Sequence, residues 1–486
     1  LHTKFIHMKI EQIYTGCLAQ GAYYIESNGE VAIIDPLRET KSYIEQATKD
    51  NAKIKYIFET HFHADFVSGH VDLAEKTGAT IIYGPTAQPD FTAHIATDGE
   101  VFNLGNITIT ALHTPGHTME STTYLLKDEN GKDIAIFTGD TLFIGDVGRP
   151  DLAQKLDSNL TQEMLAGYLF DSLRTKIMPL ADDITVYPAH GAGSACGKNM
   201  SKETFDSLGH QKEVNYALNP ALTKEEFITE LTSGLMPPPF YFPENVMINK
   251  MGAESLDDVK KRAKKALTPD EFVQVADETG ALILDVRDPQ TFAAGFIPNS
   301  INIGIKGQFA PWVGTLITDI KQTILIVAED GGEDEAITRL ARVGYDNTIG
   351  FLKGGFQSWL DAEKDFDEIV SVSPEEFAEL VDETELKVLD VRKPGEFSTS
   401  HVEGAITAPL DFINESMKLI DPEETYLVHC AGGYRSMIFT SILRARGFEN
   451  LIDVAGGFGK IKEVEGIKIV EGVSPCSLDS NSCSKS

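Results

Sequence analysis

Short apolar runs rich in β-branched residues recur through the first half of the chain, at residues 31–34, 56–59, 107–112, 134–138 and 185–187. Runs of that length bounded by polar or glycine-containing stretches predict buried strands. Helical patterns such as residues 41–50 fall between them, so the chain predicts an α/β fold. In the second half, residues 324–328 and 426–429 are apolar without alternation. Continuous apolar runs of this kind belong to parallel sheets covered on both faces.

The second half also repeats itself. Leu-Ile-Leu-Asp285-Val-Arg287-Asp-Pro289 matches Lys-Val-Leu-Asp390-Val-Arg392-Lys-Pro394, and Lys-Gly354-Gly355-Phe356 matches Ala-Gly456-Gly457-Phe458. A repeat of this period predicts two tandem copies of one small α/β domain. The prolines at 237–239 and 243 interrupt any helix or central strand and mark a boundary before the repeats. The expected domains are 8–245, a linker at 246–262, repeats at 263–365 and 368–474, and a disordered polar tail at 475–486. Met8 is read as the natural start.

A chain of 486 residues is too long for one core and suits about three domains. Its 42 basic and 74 acidic residues give a net charge of −32, which argues against nucleic acid or anionic membrane as a partner. The sequence shows neither an apolar run long enough to span a bilayer nor a leader pattern, so the expectation is a soluble cytoplasmic enzyme. Five cysteines, at 17, 196, 430, 476 and 483, do not form a disulfide framework and fit reduced thiols. Cys17 is read as structural.

Ten of the twelve histidines precede residue 245, which assigns metal chemistry to the first domain. Thr60-His61-Phe62-His63-Ala64-Asp65 is expected to leave a strand and enter a helix, and His113-Thr-Pro-Gly-His117, Thr138-Gly-Asp140 and Tyr187-Pro-Ala-His190 follow later strands. Imidazole and carboxylate together suit zinc, iron or manganese.

This series resembles the metallo-β-lactamase superfamily, which implies an αββα sandwich over residues 8–245. Phe66 stands where dinuclear hydrolases of that superfamily carry a further histidine, and a phenyl ring has no lone pair for a second metal. Together with Phe137-Thr-Gly-Asp140-Thr-Leu-Phe-Ile-Gly and Gly148-Arg149-Pro150-Asp151, the series is similar to the persulfide dioxygenases. That resemblance implies one Fe(II) per chain held by His61, His117 and Asp140, with His63, Asp65 and His190 orienting ligands or water. It also implies a low-molecular-weight thiol persulfide and O2 as substrates, sulfite as product, and a homo-oligomer, dimer or tetramer. Arg149 is the expected anchor for a substrate carboxylate and Tyr187 a hydrogen-bond donor to it. Cys196, in the loop after His190, resembles a persulfide-carrying cysteine near the metal; an inert buried thiol is the competing reading.

Cys430 ends a strand at the head of Ala431-Gly432-Gly433-Tyr434-Arg435. Backbone N–H groups at Gly432 and Gly433 and the start of a helix stabilise a thiolate and bind anions, and Arg435 adds a fork for sulfite or thiosulfate. The loop resembles that of rhodanese sulfurtransferases, in which the cysteine carries a persulfide. Strand against strand, Glu329 replaces the nucleophile and Asp334 the arginine in the first repeat, predicting an inactive rhodanese-like copy. The function expected is persulfide oxidation to sulfite coupled to sulfur transfer through Cys430, with thiosulfate as product or substrate. The alternatives are a zinc-dependent glyoxalase II-like thioesterase fused to a sulfurtransferase, and a sulfur-carrier or sensing protein with a structural metal.

Overall fold

The computed structural model describes residues 8–152, 159–383 and 386–472, so the tail with Cys476 and Cys483 lies outside the described residues. The chain forms two compact units. The first runs to Lys261 and takes in Ile317–Ile320 and Thr338–Asp346; the second comprises Arg262–Leu316, Lys321–Ile337 and the chain from Asn347.

The first unit is built on two six-stranded sheets. One contains β1 (Met8–Thr15), β2 (Gln20–Ser27), β3 (Glu30–Ile34), β4 (Lys53–Phe58), β5 (Thr80–Tyr83) and β6 (His94–Ile95) in sequence order. The other contains β7 (Val101–Leu104), β8 (Ile107–His113), β9 (Thr122–Lys127), β10 (Asp133–Gly139), β11 (Thr185–Pro188) and β12 (Asp206–Ser207), again in order. Successive side chains of a strand point to opposite faces, and the sequence uses this. Tyr124, Leu126 and Phe137 enter a core shared with Ile34, Phe58 and Ile82 of the first sheet. Leu125 and Ile136, one residue out of step, pack instead on α3 residues Ala166 and Leu169. Helices α1 (Lys41–Lys49) and α2 (His70–Thr77) cross over between parallel strands β3, β4 and β5, and α3 spans Gln162–Ser172. The layers are those of an αββα sandwich, and the strands expected from the pattern fall within three residues of those observed, β4 starting three residues early at Lys53.

The stretch read as a linker at 246–262 is largely helical, in α4 (Phe242–Met251) and α5 (Leu256–Ala263). Leu256 and Val259 bury against Ala341, which explains why an apparent connector is ordered. The same reason draws Thr338–Asp346 into this unit. Arg38 forks onto Asp346 at 2.6 and 2.8 Å and bonds the carbonyls of Ala341 and Glu254. Val67 N–H donates to the Arg342 carbonyl at 2.7 Å.

The second unit holds two parallel five-stranded sheets of identical order. In the first copy β13 (Ala266–Leu267), β14 (Leu282–Asp285), β15 (Ile301–Asn302), β16 (Ile324–Val327) and β17 (Thr348–Leu352) run in the order β13-β17-β16-β14-β15. In the second, β18 (Ser371–Val372), β19 (Lys387–Asp390), β21 (Ile406–Thr407), β22 (Tyr426–His429) and β23 (Leu451–Val454) run β18-β23-β22-β19-β21, while β20 (Ser400–Val402) pairs with β24 (Ile469–Glu471). Helix α6 (Glu333–Arg342) follows β16, as α7 (Tyr434–Ala445) follows β22 and α8 (Gly457–Ile461) follows β23. Among the described residues no helix is long and apolar enough to cross a membrane.

Strand register corrects the alignment of the copies by one residue. Asp285 pairs with Val327 and Asp390 with His429, so Ala328, not Glu329, is the counterpart of Cys430. The same shift replaces Asp334 by Glu333 as the counterpart of Arg435. The glycine pairs agree, since a Cβ on Gly355 would meet the Ala328 carbonyl as one on Gly457 would meet that of Cys430. Burial agrees too: Ala328 and Cys430 are buried, and Glu329 and Ala431 are exposed. Apolar content alone does not fix which residue ends a strand, whereas hydrogen-bonded pairing does.

Candidate metal centre and cysteine loop

The candidate ligands converge because each follows the C-terminal end of a strand in the sandwich. His61, His63 and Asp65 lie in the loop after β4, His117 after β8, Asp140 after β10 and His190 after β11. The loop after β4 does not enter a helix until His70.

His61, His117 and Asp140 are all buried, with potential ligand atoms within 4.8 Å of one another. His117 Nε2 lies 3.3 Å and His61 Nε2 3.8 Å from Asp140 Oδ2. Hydrogen bonds fix both tautomers. His117 Nδ1–H donates to the Arg149 carbonyl at 2.8 Å, leaving a lone pair on Nε2. The Thr60 hydroxyl donates to Asp35 Oδ2 at 2.9 Å, so its oxygen accepts from His61 Nδ1–H at 2.9 Å. Burial and the neighbouring His63, His117 and His190 hold His61 well below the usual histidine range, so it is neutral. Both Asp140 oxygens are buried and accept no hydrogen bond among the described residues. A buried carboxylate without donors is costly unless a cation faces it. Two bare imidazole nitrogens and an undonated carboxylate are a donor set that fits a transition metal. Gly148 permits this approach: a Cβ there would lie 2.1 Å from the Asp140 carbonyl and 2.9 Å from His117 Nδ1.

The other three residues split into two groups. His63 turns its Nε2 to Asp35 Oδ1 at 3.0 Å and Glu59 Oε2 at 3.3 Å. Burial opposes its charge, but Asp35 and Glu59 outweigh that and raise its pKa well above the usual value. His190 Nε2 sits 3.4 Å from Asp65 Oδ2 and 3.6 Å from Asp140 Oδ1. Burial again lowers its pKa, and the two carboxylates more than offset it, to about 9. Phe66 is buried, its ring 4.4 Å from that of His63.

The three substrate-side residues lie in different settings. Arg149 offers no open fork: Nε and Nη2 bond Asp151 at 2.6 and 2.7 Å, and the Ala195 and Met236 carbonyls take further N–H groups. A proline-flanked acidic neighbour two residues on captures the guanidinium first. Tyr187 stacks on Phe137 at 5.3 Å, among the aromatics of the sandwich core. Cys196 is buried with a potential ligand atom within 4.8 Å of Asp140 and His190. Burial, then Asp65 and Asp140, push its pKa well above the usual value, so it rests as a thiol.

Sequence reasoning missed Asp35, Glu59, Thr60 and Asn249. Asp35 ends the apolar run of β3, a strand-end position like the others, and this was the available signal. Asn249 had none, since it lies in the presumed linker. Its side chain donates to the His63 and Phe66 carbonyls, each at 2.8 Å, and accepts from Ser68 N–H at 2.8 Å.

In the second unit Cys430 is buried at the end of β22, and Gly433 N–H donates to its sulfur at 3.1 Å. Gly433 adopts φ +93°, a conformation that favours glycine, and α7 begins at the next residue. A Cβ on Gly432 would meet nothing within 4 Å, leaving that face of the loop open. Arg435 forks onto Glu396 at 2.6 and 2.8 Å. In the first copy Ala328 has no nucleophile, Glu333 replaces Arg435 and Thr291 replaces Glu396. The Asp-Val-Arg motif is retained in both copies and is architectural: Arg287 grips Asp285 and Arg392 grips Asp390 with the same set of bonds.

Residues 15–190 match the metallo-beta-lactamase superfamily, and residues 268–362 and 373–463 each match the rhodanese-like domain. The cytoplasmic hydroxyacylglutathione hydrolase of Arabidopsis thaliana is 35% identical over 147 residues, 29% of this chain and 56% of the relative. This chain thus spans little more than half the length of that protein. The mitochondrial persulfide dioxygenase of Homo sapiens is 28% identical over 225 residues, 45% of this chain and 78% of the relative. A solved metallo-beta-lactamase structure from Staphylococcus aureus subsp. aureus COL is 30% identical, with a TM-score of 0.63, 72% of this chain covered and 99% of its own.

Proposed function

The chain belongs to the metallo-beta-lactamase superfamily and carries two rhodanese-like domains behind that fold, and on this premise we propose that it oxidises a thiol persulfide and transfers sulfane sulfur. At the first site a low-molecular-weight thiol persulfide, O2 and water give the thiol, sulfite and two protons. At the second, Cys430 passes sulfane sulfur, with thiosulfate as the shared product or substrate. The direction of that transfer follows the relative supply of sulfite and persulfide.

The observation that carries this reading is the Asp140 carboxylate, buried without a donor and faced by the Nε2 atoms of His61 and His117. These residues would hold one Fe(II), which would supply the redox chemistry that activates O2. The protein's own contribution is positional. Thr60 and the Arg149 carbonyl keep the two imidazoles in the ligating tautomer. His190 faces Asp65 and Asp140, His63 stays engaged with Asp35 and Glu59, and Cys196 lies beside the site. At the second site the Gly433 N–H and the start of α7 favour negative charge on the Cys430 sulfur.

The hydrolase relative favours a second reading, a zinc thioesterase in place of the dioxygenase. Phe66 weighs against it, since it removes a nitrogen donor from the second metal position of dinuclear hydrolases. Metal analysis of the purified chain with oxygen electrode traces separates the two. Stoichiometric iron and O2 uptake dependent on glutathione persulfide are expected; zinc with thioester cleavage and no O2 uptake would overturn the proposal.

A further inference from the structure

The first rhodanese-like copy lacks a nucleophile, yet its loop after β15 meets the cysteine loop of the second copy. The Tyr434 hydroxyl donates to the Gly304 carbonyl at 2.7 Å. Its ring lies where side chains would otherwise be: a Cβ on Gly307 would sit 2.3 Å from Tyr434 Cζ, and one on Gly304 3.3 Å from Cε2. Helix α7 is held at two further levels. Asn302 N–H donates to Ser441 Oγ at 2.9 Å, and Met437 is buried with Phe292 and Phe296.

The pairing runs in one direction only. Ile305 N–H bonds the Val286 carbonyl as Leu410 N–H bonds that of Val391, so Gly304 and Gly307 correspond to Pro409 and Phe412. Tyr434 corresponds to Gly332. The copy that keeps the cysteine has the tyrosine, and the copy that lost it has the receiving glycines. The cysteine loop needs such an anchor. Gly432 and Gly433 leave its backbone loose, while the Gly433 N–H and Arg435 act on sulfur only from fixed positions.

We propose that Tyr434 is a positioning residue for sulfur transfer and that the loop Gly304–Gly307 of the inactive copy is its anchor. The anchor fixes the first turn of α7, and through it the Gly433 N–H and Arg435, relative to the Cys430 sulfur. This inference rests on Cys430 being the sulfur-transferring residue.

The test uses the full chain with Gly307→Ala, Tyr434→Phe, Tyr434→Ala and the double variant Gly307→Ala/Tyr434→Ala. Iodoacetamide labelling of the Cys430 peptide against pH is read by mass spectrometry, beside kcat and KM for sulfite with glutathione persulfide as donor. Gly307→Ala is expected to lower labelling of Cys430 at neutral pH about tenfold, and to raise the sulfite KM by a similar factor with O2 uptake unchanged. Tyr434→Phe, which keeps the ring, should retain most of the wild-type profile, and Tyr434→Ala should not. The double variant should be no worse than Tyr434→Ala, because the added methyl then has nothing to strike. Unchanged labelling and KM in Gly307→Ala, or effects that add in the double variant, would overturn the inference. Should Gly307→Ala not fold, an unchanged labelling profile in Tyr434→Ala does the same. Labelling reports the loop even where no sulfur is transferred, so a wild-type chain without transfer activity counts against the function and not against the anchor.

Discussion

Glu396 closes a two-bond fork on Arg435, at 2.6 and 2.8 Å, beside the loop that carries Cys430. An arginine meant for a passing anion is thus already held by a carboxylate of its own chain. The pair is coupled in sequence as in space, since the first copy has lost both partners, with Thr291 and Glu333 in their places.

Glu396→Gln removes the carboxylate that competes with an anion for the guanidinium and should therefore strengthen anion binding. The expected gain in kcat/KM for sulfite is about tenfold, roughly 1.4 kcal/mol, carried mainly by a lower KM. Arg435 holds the Glu396 carboxyl below the ordinary glutamate range. A depressed carboxyl contributes stability above its unfolded value and loses it as pH falls through the folded one. Transfer by the wild type should accordingly show no Glu396-dependent inflection between neutral pH and mild acid. An inflection in the ordinary glutamate range, absent in Glu396→Gln, would contradict this pairing.

Asp140→Asn keeps the size of the side chain and removes the charge that balances a cation. Metal content should fall with it, and persulfide-dependent O2 uptake by at least about 100-fold. Sulfur transfer through Cys430 should be preserved in the same preparation. Full metal occupancy in Asp140→Asn, measured by elemental analysis, would show that the carboxylate is not a ligand.

The Asn249 side chain ties the His63 and Phe66 carbonyls and the Ser68 N–H, all at 2.8 Å, and is buried. Asn249→Ala leaves these groups without partners in a region closed to water. The cost should be about 2–4 kcal/mol, visible as a lower urea midpoint at unchanged slope. Metal affinity should fall in parallel, because the same loop carries His61. A shift under about 1 kcal/mol would mean that water replaces the amide.

Strand ends proved readable because apolar runs are local, and the candidate metal ligands all follow such runs. Asn249 was not readable, because it acts through a helix whose order depends on Leu256 and Val259 burying against Ala341, residues distant in sequence. Arg149 misled for a related reason: a guanidinium beside glycine and proline reads as a ligand anchor until Asp151 is seen to occupy it. The counterpart of Cys430 was off by one residue. Apolar content sets a strand's existence, whereas only pairing, as of Asp285 with Val327, sets its register.

That register yields its own prediction. If Ala328 is the true counterpart, Ala328→Cys places a sulfur at the buried strand end, whereas Glu329→Cys places one on an exposed loop residue. In a Cys430→Ser background neither should transfer sulfur, but for different reasons. The sulfur at 328 would head a loop that carries Glu329, Asp330 and Glu333 where the second copy has Ala431, Gly432 and Arg435. Negative neighbours disfavour a thiolate, so its labelling by iodoacetamide should require higher pH than Cys430 does. Adding Glu329→Ala, Asp330→Gly and Glu333→Arg rebuilds the residues of the second copy's loop and should bring the labelling profile down toward that of Cys430. A cysteine at 328 that labels as readily as Cys430 without those changes would show that the loop charges are not what silences this copy.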